Sequence, residues 1–231
     1  MFDDSLESAA ECGFQSMSLL VKNISITREN KTIVSDFSLE CASGECVVIR
    51  GKNGGGKSTI LSAIMGFADV AVTTGDIVLE GESILLEKTY VRARRGVFLA
   101  HQEPPVIDGV SLSFMARASL EAIHGITDVP EAQRRIRETL STLGLPDDFV
   151  QKTLHGDMSG GEKKRAELFQ LVLLKPKYAL LDELDSGLDA ASCDLAAKII
   201  TNMRKEGMGF VIVTHSDAFV QAVNPTRIVI I

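Results

Sequence analysis

The spacing of hydrophobic and polar residues changes several times along this chain, and the first hundred positions have the pattern of short strands. Apolar and β-branched residues form runs of strand length, separated by turn-forming segments such as 28–30 and 42–45. These runs predict strands at residues 19–26, 32–41, 45–50, 75–80, 82–86 and 95–100. The consecutive prolines Pro104 and Pro105 exclude a helix directly after the last of these strands.

Residues 111–154 have helical spacing instead. Apolar side chains recur every three or four positions at Phe114, Ala118 and Ala122, and again at Ile136, Leu140 and Leu143. Segments that contain Gly and Pro, at 125–130 and 144–146, interrupt this pattern. We therefore predict a small helical subdomain in this part of the chain.

Strand and helix patterns alternate again from residue 160 onward. The pattern predicts a helix at 160–174, a strand at 177–182, a helix at 189–205 and a strand at 208–213. Such alternation is typical of a mainly parallel sheet with helices on both faces, so the expected fold class is α/β. Residues 1–17 precede the first strand, and their polar, aperiodic composition predicts a flexible extension.

The composition is that of an ordinary globular protein. Of the 231 residues, 45% are hydrophobic and 24% are charged, and the net charge of −7 argues against a nucleic-acid-binding protein. No apolar run approaches the roughly 20 residues that a membrane-spanning helix needs. We therefore expect no nucleic-acid partner and no direct insertion into a membrane.

The start of the chain and its cysteines predict a cytoplasmic protein. The acidic start Met1-Phe2-Asp3-Asp4 lacks the basic and apolar regions of a secretory signal. The four cysteines contain no C-x-x-C pair and are interpreted as free thiols in a reducing compartment: Cys12, Cys41, Cys46 and Cys193. Cys46 lies in a predicted strand, where a small buried side chain is expected.

The most specific motif is the run Gly-Lys-Asn-Gly-Gly-Gly-Lys-Ser-Thr at residues 51–59, which matches the phosphate-binding loop G-x-x-x-x-G-K-[ST]. It lies between the predicted strand 45–50 and a helical run at 60–65, which is the context that this motif requires. Glycines let backbone amides curl around phosphates, Lys57 supplies a positive charge, and the Ser58 hydroxyl is expected to hold Mg²⁺. The candidate nucleotide-binding residues here are Gly51, Asn53, Gly54, Gly55, Gly56, Lys57, Ser58 and Thr59.

Four polar side chains come directly after predicted strands, where ligands collect in a parallel sheet. Asp182 is expected to hold Mg²⁺ through water, and Glu183 to orient the attacking water. His215 can contact the γ-phosphate or that water. Gln102 can bind Mg²⁺ or the water, although its chemistry alone leaves a structural role equally open.

The turn at residues 159–161 has two interpretations. Ser159 is a good N-cap, and Glu162 three residues later completes the pattern of a capping box, which predicts no more than a well-capped helix. However, Gly160 and Gly161 are costly in a first helical turn unless their amides must approach an anion closely.

Taken together, these motifs resemble those of the ATP-binding-cassette (ABC) ATPases, over residues 18–231. Residues 51–59 match the Walker A motif, and Tyr178 to Asp182 match Walker B, with Glu183 as the catalytic glutamate. The other matches are Gln102 to the Q-loop, Met158 to Glu162 to the signature, Ser186 to Asp189 to the D-loop and His215 to the switch histidine.

This resemblance implies a P-loop NTPase fold with a parallel core, an N-terminal antiparallel β subdomain and an inserted helical subdomain. The expected single domain spans 18–231, with its core at 18–102 and 155–231 and the insertion at about 103–154. The resemblance also implies hydrolysis of Mg-ATP between two chains in a transient head-to-tail homodimer. In that dimer Ser159, Gly160 and Gly161 of one chain face the nucleotide of the other. Asp189 is expected to shape this interface, or to serve only as the N-cap of the following helix.

Within the family, the sequence at 158–165 and 182–189 is similar to that of the SufC ATPases. That resemblance implies SufB/SufD-type scaffold proteins as partners in iron–sulfur cluster assembly, which would dock near Gln102 and on the helical subdomain. The alternative is the ATP-binding subunit of an ABC membrane transporter.

Three segments depart from the family pattern. Residues 26–34 contain no aromatic side chain to stack on adenine, which predicts loose base selectivity. The last predicted strand, at 227–231, is expected to be a sheet edge, and the usual turn, strand and helix do not follow it in this sequence. Residues 1–16 have no counterpart in the family.

Overall fold

The computed structural model describes residues 17–231, so the predicted extension at 1–17 lies almost wholly outside the described residues. The strands are β1 (Ser18–Arg28), β2 (Lys31–Ala42), β3 (Cys46–Arg50), β4 (Ala71–Leu79), β5 (Glu82–Ser83), β6 (Val97–Ala100), β7 (Tyr178–Asp182), β8 (Gly209–Val213) and β9 (Arg227–Ile230). The helices are α1 (Lys57–Met65), α2 (Thr89–Arg94), α3 (Leu112–His124), α4 (Val129–Thr142), α5 (Gly160–Leu174), α6 (Ala190–Lys205) and α7 (Asp217–Val223), with a 3-10 helix at Asp147–Gln151.

These strands form an antiparallel sheet in the order β2-β1-β4-β5 and a parallel sheet in the order β6-β7-β8-β3-β9. In the parallel sheet, Asp182 lies opposite Val213, and Ile49 also lies opposite Val213. The carboxyl ends of β3, β7 and β8 are therefore level with one another. The predicted α/β class is confirmed, and β9 is an edge strand as expected.

The central strands are buried on both faces, which is why they read as continuous apolar runs rather than as alternating ones. Along β7, Tyr178 and Leu180 pack into the hydrophobic cluster between the two sheets. Ala179 and Leu181 pack on the opposite face, into the cluster that includes α3 to α6. Cys46 is fully buried, and burial raises the pKa of its thiol to about 11, so it is a core side chain as predicted.

The predicted helices between residues 111 and 154 are confirmed, but α3 buries a different stripe from the one that its apolar spacing suggested. Leu112, Ala116 and Leu120 are buried, whereas Phe114 is 57% exposed. Two positions along a helix correspond to a rotation of about 200°, so the stripe that begins at Phe114 faces away from the core. Because Phe114 is aromatic, the sequence pattern indicated its stripe, and not the stripe of Leu112, as the buried one.

The short helices α2 and α7 were not predicted. The first has no side-chain cap, and its six residues are too few to show helical periodicity. The second begins after Ser216, whose hydroxyl accepts a hydrogen bond from the Phe219 amide. That N-cap is a signal that the sequence did contain. No helix among residues 17–231 is long and apolar enough to cross a bilayer.

Helix α1, which follows the phosphate-loop motif, is fixed at its far end by the buried side chain of Arg92. Its guanidinium donates to the carbonyls of Ala63 and Ile64 in the last turn of the helix, at 2.9 and 2.7 Å. It also donates to the carbonyls of Leu85 and Glu87 at 2.7 and 3.0 Å. Arg92 therefore joins α1 to the segment between β5 and α2.

Replacement of Arg92 by methionine is expected to lower the free energy of unfolding by about 3 kcal/mol, because it leaves buried carbonyls without donors. Urea unfolding followed by circular dichroism measures this loss. Arg94→Met is the matched control, since Arg94 is exposed and its guanidinium lies over the ring of Tyr90, 5.6 Å from the centroid. Equal destabilisation by the two substitutions would contradict the role given to Arg92.

Candidate functional site

The phosphate-loop motif lies between β3 and α1, as its sequence context predicted. Gly56 directly precedes α1 and has a φ of 93°, which lies in the left-handed region that favours glycine. A Cβ atom at Gly56 would lie 2.5 Å from Cγ2 of Val34 on β2. Glycine is therefore required here both by the backbone conformation and by the close approach of the antiparallel sheet.

The Lys57 side chain is folded over the loop that precedes it. Its ammonium donates to the carbonyls of Gly51 and Lys52 at 3.0 and 2.9 Å. The residue is only 6% exposed, so its charge is held close to the loop. An anion enclosed by the loop amides would lie next to this ammonium and next to the positive end of α1.

The structure brings together three of the side chains that follow predicted strands. Gln102 Nε2 donates to Oε2 of Glu183 at 2.9 Å. His215 Nε2 lies 3.6 Å from Oε1 of the same carboxylate. An amide, a carboxylate and an imidazole that come from the ends of β6, β7 and β8 thus meet at one point.

Glu183 reaches this point through an unusual backbone conformation. Its φ of 47° lies in the left-handed region, which costs a non-glycine residue about 1 kcal/mol or more. The Glu183 amide still donates to the Val213 carbonyl at 2.9 Å, so the strand pairing continues to the residue that bends away. The conformation turns the side chain out of β7 toward Gln102 and His215.

Asp182, the last residue of β7, has the features of a metal ligand. It is 7% exposed, and its buried Oδ1 has no hydrogen-bond partner among the described residues. Burial raises the pKa of its carboxyl above the ordinary value, while a hydrogen bond from Ser58 acts in the opposite direction. No group of three His, Cys, Asp or Glu side chains among residues 17–231 is placed to hold a metal ion. A cation at Asp182 would therefore need the Ser58 hydroxyl and oxygens from a ligand, which suits Mg²⁺.

A cleft of about 540 Å³ joins Gln102, Glu183 and His215 to the phosphate-loop motif. It is lined by Arg28, Ile33, Asn53, Gly54, Gly56, Lys57, Ser58, Thr59, Gln102, Glu183 and His215. Arg28 and Ile33 line the end of the cleft that β1 and β2 form. Both belong to the segment 26–34, which contains no aromatic side chain. Arg28 pairs with Asp69 at 2.6 Å.

The turn at residues 159–161 does not line this cleft. Ser159 and Glu162 form the predicted capping box at the start of α5. A Cβ atom at Gly160 would meet nothing within 4 Å, so α5 packing within this chain does not explain the glycine. Asp189 is the N-cap of α6, since its carboxylate accepts from the Ser192 amide at 2.8 Å.

Three buried polar residues near Gln102 were not assigned a role from the sequence: His155, Lys164 and Glu167, which are 4%, 5% and 3% exposed. A signal for one of them was available. Lys164 shares a helical stripe with Leu168 and Leu171, which are buried, and a charge in such a stripe needs a specific partner. The identity of that partner depends on tertiary contacts.

Comparison with known proteins gives a family match. A family model described as "ABC transporter" matches residues 34–186. A probable ABC transporter ATP-binding protein of Streptococcus pyogenes serotype M18 is 38% identical over 213 residues, covering 90% of this chain and 83% of its own length. The Escherichia coli K12 protein named "Probable ATP-dependent transporter SufC" is 33% identical over 212 residues, covering 90% of this chain and 86% of its own length.

The fold also matches solved structures. One is described as the dimeric, post-hydrolysis state of an ATP-binding cassette bound to ADP and Pi. It superimposes with a TM-score of 0.80 at 20% sequence identity, over 92% of this chain and 94% of that chain. At this level of identity, the likeness shows a common fold.

Proposed function

This chain belongs to the ABC transporter family and is an ATP hydrolase of that family, and on this premise we propose a specific cycle for it. It hydrolyses Mg-ATP in a head-to-tail dimer and thereby drives conformational change in a SufB–SufD-type scaffold during iron–sulfur cluster assembly. The observation that carries the proposal is the meeting of Gln102, Glu183 and His215 at one end of the phosphate-loop cleft.

In this proposal the phosphates of ATP bind along the loop at 51–56. The loop amides and the N-terminus of α1 donate to the phosphate oxygens. Lys57 leaves the carbonyls of Gly51 and Lys52, which it contacts in the structure, and pairs with the phosphates. The Thr59 and Asn53 side chains complete the binding surface, since both line the same cleft.

Mg²⁺ would be held by Ser58, by Gln102 and, through water, by Asp182. The unpartnered buried Oδ1 of Asp182 supports this assignment. When bound, the cation offsets the charge of the phosphate oxygens.

Glu183 acts on the attacking water, and His215 holds the position of the γ-phosphate. The distances of 2.9 Å from Gln102 to Glu183 and 3.6 Å from His215 to Glu183 support this division of roles. A carboxylate that accepts one hydrogen bond from an amide retains lone pairs with which to bind and deprotonate a water. Gln102 thereby links the attacking water to the metal position.

Hydrolysis requires a second copy of the chain, because the turn at 159–161 lies outside its own cleft. We propose that Ser159, Gly160 and Gly161 contact the γ-phosphate bound to the partner copy. The open space next to Gly160 and the position of both glycines in the first turn of α5 support this arrangement. We also propose that residues 103–154 form a helical subdomain inserted between the core segments 18–102 and 155–231, which would carry this turn toward the partner.

The scaffold would dock in a groove that leads to Gln102. The groove has a volume of about 490 Å³, and its lining includes Phe67, Ala93, Phe98, His101, Ser119 and Ile123. Within it, the rings of Phe67 and His101 stack with centroids 5.5 Å apart. Because His101 directly precedes Gln102, a protein bound here would act on the hydrolytic site through one peptide bond. The similarity to SufC is what favours a SufB–SufD-type partner.

The second candidate is the ATP-binding subunit of an ABC membrane transporter. The printed name of the Streptococcus pyogenes relative, which is 38% identical, favours it. In that case a membrane protein rather than a scaffold protein would occupy the same groove.

The proposal is tested by measuring ATP hydrolysis by the purified chain, alone and with SufB–SufD-type proteins from the same source. We expect the scaffold to raise kcat, because it holds two copies in the hydrolytic arrangement. A scaffold protein with an unrelated fold serves as the control. Basal hydrolysis that the scaffold leaves unchanged would contradict the partner assignment and favour the transporter subunit.

A further inference from the structure

The backbone of residues 101–105, which we call the Gln102 segment, is held by charged side chains from α5. Lys164 Nζ donates to the carbonyls of His101 and Gln102 at 3.0 and 2.7 Å. Glu167 Oε2 accepts from the His101 amide at 3.2 Å. Three polar backbone groups of two consecutive residues are thus bound by two side chains one turn apart on the same helix.

The imidazole of His155 completes the arrangement. His155 Nε2 lies 3.0 Å from Oε1 of Glu167, and His155 Nδ1 lies 3.1 Å from the Pro105 carbonyl. Gln170 also donates to Oε1 of Glu167, at 3.2 Å. His155 therefore contacts both the far end of the Gln102 segment and the carboxylate that holds its near end.

Folding stability is a weak explanation for this cluster. Burial of ionised side chains carries a desolvation cost that apolar side chains of similar volume do not have. Burial lowers the pKa of Lys164, and the Glu167 carboxylate opposes that shift. The charge on Lys164 is therefore stabilised by Glu167. A helix such as α5, which is otherwise packed through Leu168, Leu171 and Phe169, does not need these charges in order to bind the sheet.

We propose that Glu167 and His155 are positioning residues for ATP hydrolysis, which fix the direction in which Gln102 meets Glu183. They act through the backbone of the Gln102 segment and not by contact with nucleotide. This inference rests on the role given to Gln102 under the proposed function. Because α5 begins at the turn 159–161, the same contacts make that turn and Gln102 move together.

The test is a double-substitution cycle with Gln102, with kcat and KM for ATP measured on the full chain. Glu167→Met removes the acceptor for the His101 amide, so we expect kcat to fall roughly tenfold while KM for ATP changes less than about twofold. Glu167→Gln retains an oxygen that can accept from the His101 amide and is expected to restore most of kcat. In a chain that already carries Gln102→Ala, Glu167→Met should cause no further loss, since there is no longer a side chain to aim.

A second substitution tests His155, the other positioning residue. His155 has a φ of 58°, which asparagine tolerates, and an asparagine amide can still donate to the Pro105 carbonyl. His155→Asn removes the imidazole nitrogen that lies 3.0 Å from Oε1 of Glu167, so it should also lower kcat, again only when Gln102 is present. The control is His124→Gln, because His124 bonds the Leu174 carbonyl of α5 at 2.8 Å, and in the described part of the chain it has no hydrogen bond to the Gln102 segment. Thermal unfolding shows that each variant is folded.

The outcomes separate this inference from the proposed function. Equal fold-losses with and without Gln102 would mean that Glu167 and His155 act only on stability, and would overturn the inference alone. A Gln102→Ala chain with the kcat of the unsubstituted protein would overturn the role of Gln102 and the inference with it. A kcat loss that depends on Gln102, with KM unchanged, supports both.

Discussion

A chain that carries Glu183→Gln is expected to bind ATP with nearly unchanged affinity and to hydrolyse it at least 100-fold more slowly. Loss of a positioned general base typically reduces the rate by about 10²–10⁴-fold. The substituted side chain has the same length and shape, so the phosphate-loop motif, which is the proposed binding site for ATP, is left intact. Its amide nitrogen, however, cannot accept a proton from water.

The geometry around Glu183 explains why this substitution should act on chemistry alone. Gln102 donates to Oε2 at 2.9 Å, and an amide oxygen at position 183 can still accept that hydrogen bond. His215, at 3.6 Å from Oε1, loses a charged neighbour but keeps its place at the end of β8. Because ATP would bind without being consumed, the head-to-tail dimer should accumulate.

Single-turnover hydrolysis and size-exclusion chromatography with ATP test the two halves of this prediction. Glu206→Gln is the matched control, because Glu206 is exposed and pairs with Lys175 at 3.1 Å. The control should hydrolyse ATP at the unsubstituted rate and show no excess of dimer. Turnover of the Glu183→Gln chain at that same rate would remove Glu183 from the mechanism.

Much of the candidate site was predictable because each of its residues stands where an apolar run ends. Asp182 ends β7, Glu183 directly follows it, and His215 follows β8 after one further residue. In a parallel sheet, such ends meet at one edge, so the sequence alone could bring these side chains together. The proximity of Gln102 to Glu183 follows from the same rule, since β6 is the neighbour of β7.

The contacts of His155 and Glu167 follow from no such rule. His155 lies in the loop after the 3-10 helix, and Glu167 lies about two turns further along α5 than the turn at 159–161. Their meeting depends on how α5 crosses β6, which local periodicity does not encode. The misread stripe of α3 has the same origin, since only packing against α4 and α5 decides that Leu112 and not Phe114 is buried.

Replacement of Lys57 by alanine is expected to weaken ATP binding about 100-fold. A hydrogen bond to a charged group contributes about 1.5–3 kcal/mol, and each 1.4 kcal/mol corresponds to a tenfold change in affinity. The effect should lie at the upper end of this range, because Lys57 is 6% exposed and its charge is poorly screened by water. Isothermal titration calorimetry with ATP measures the change in Kd.

Lys52→Ala provides the matched control, because it removes the same charge from the same loop at an exposed position. If Lys57 acts only by adding positive charge to the region, the two substitutions should weaken ATP binding alike. If it pairs directly with phosphates, Lys52→Ala should change Kd less than about threefold, because exposed charges interact weakly through water.

Lys57 also bonds the carbonyls of Gly51 and Lys52, so thermal unfolding of the Lys57→Ala chain must show that the protein around the loop is intact. An unchanged Kd in a folded Lys57→Ala chain would contradict the phosphate-binding role of this lysine.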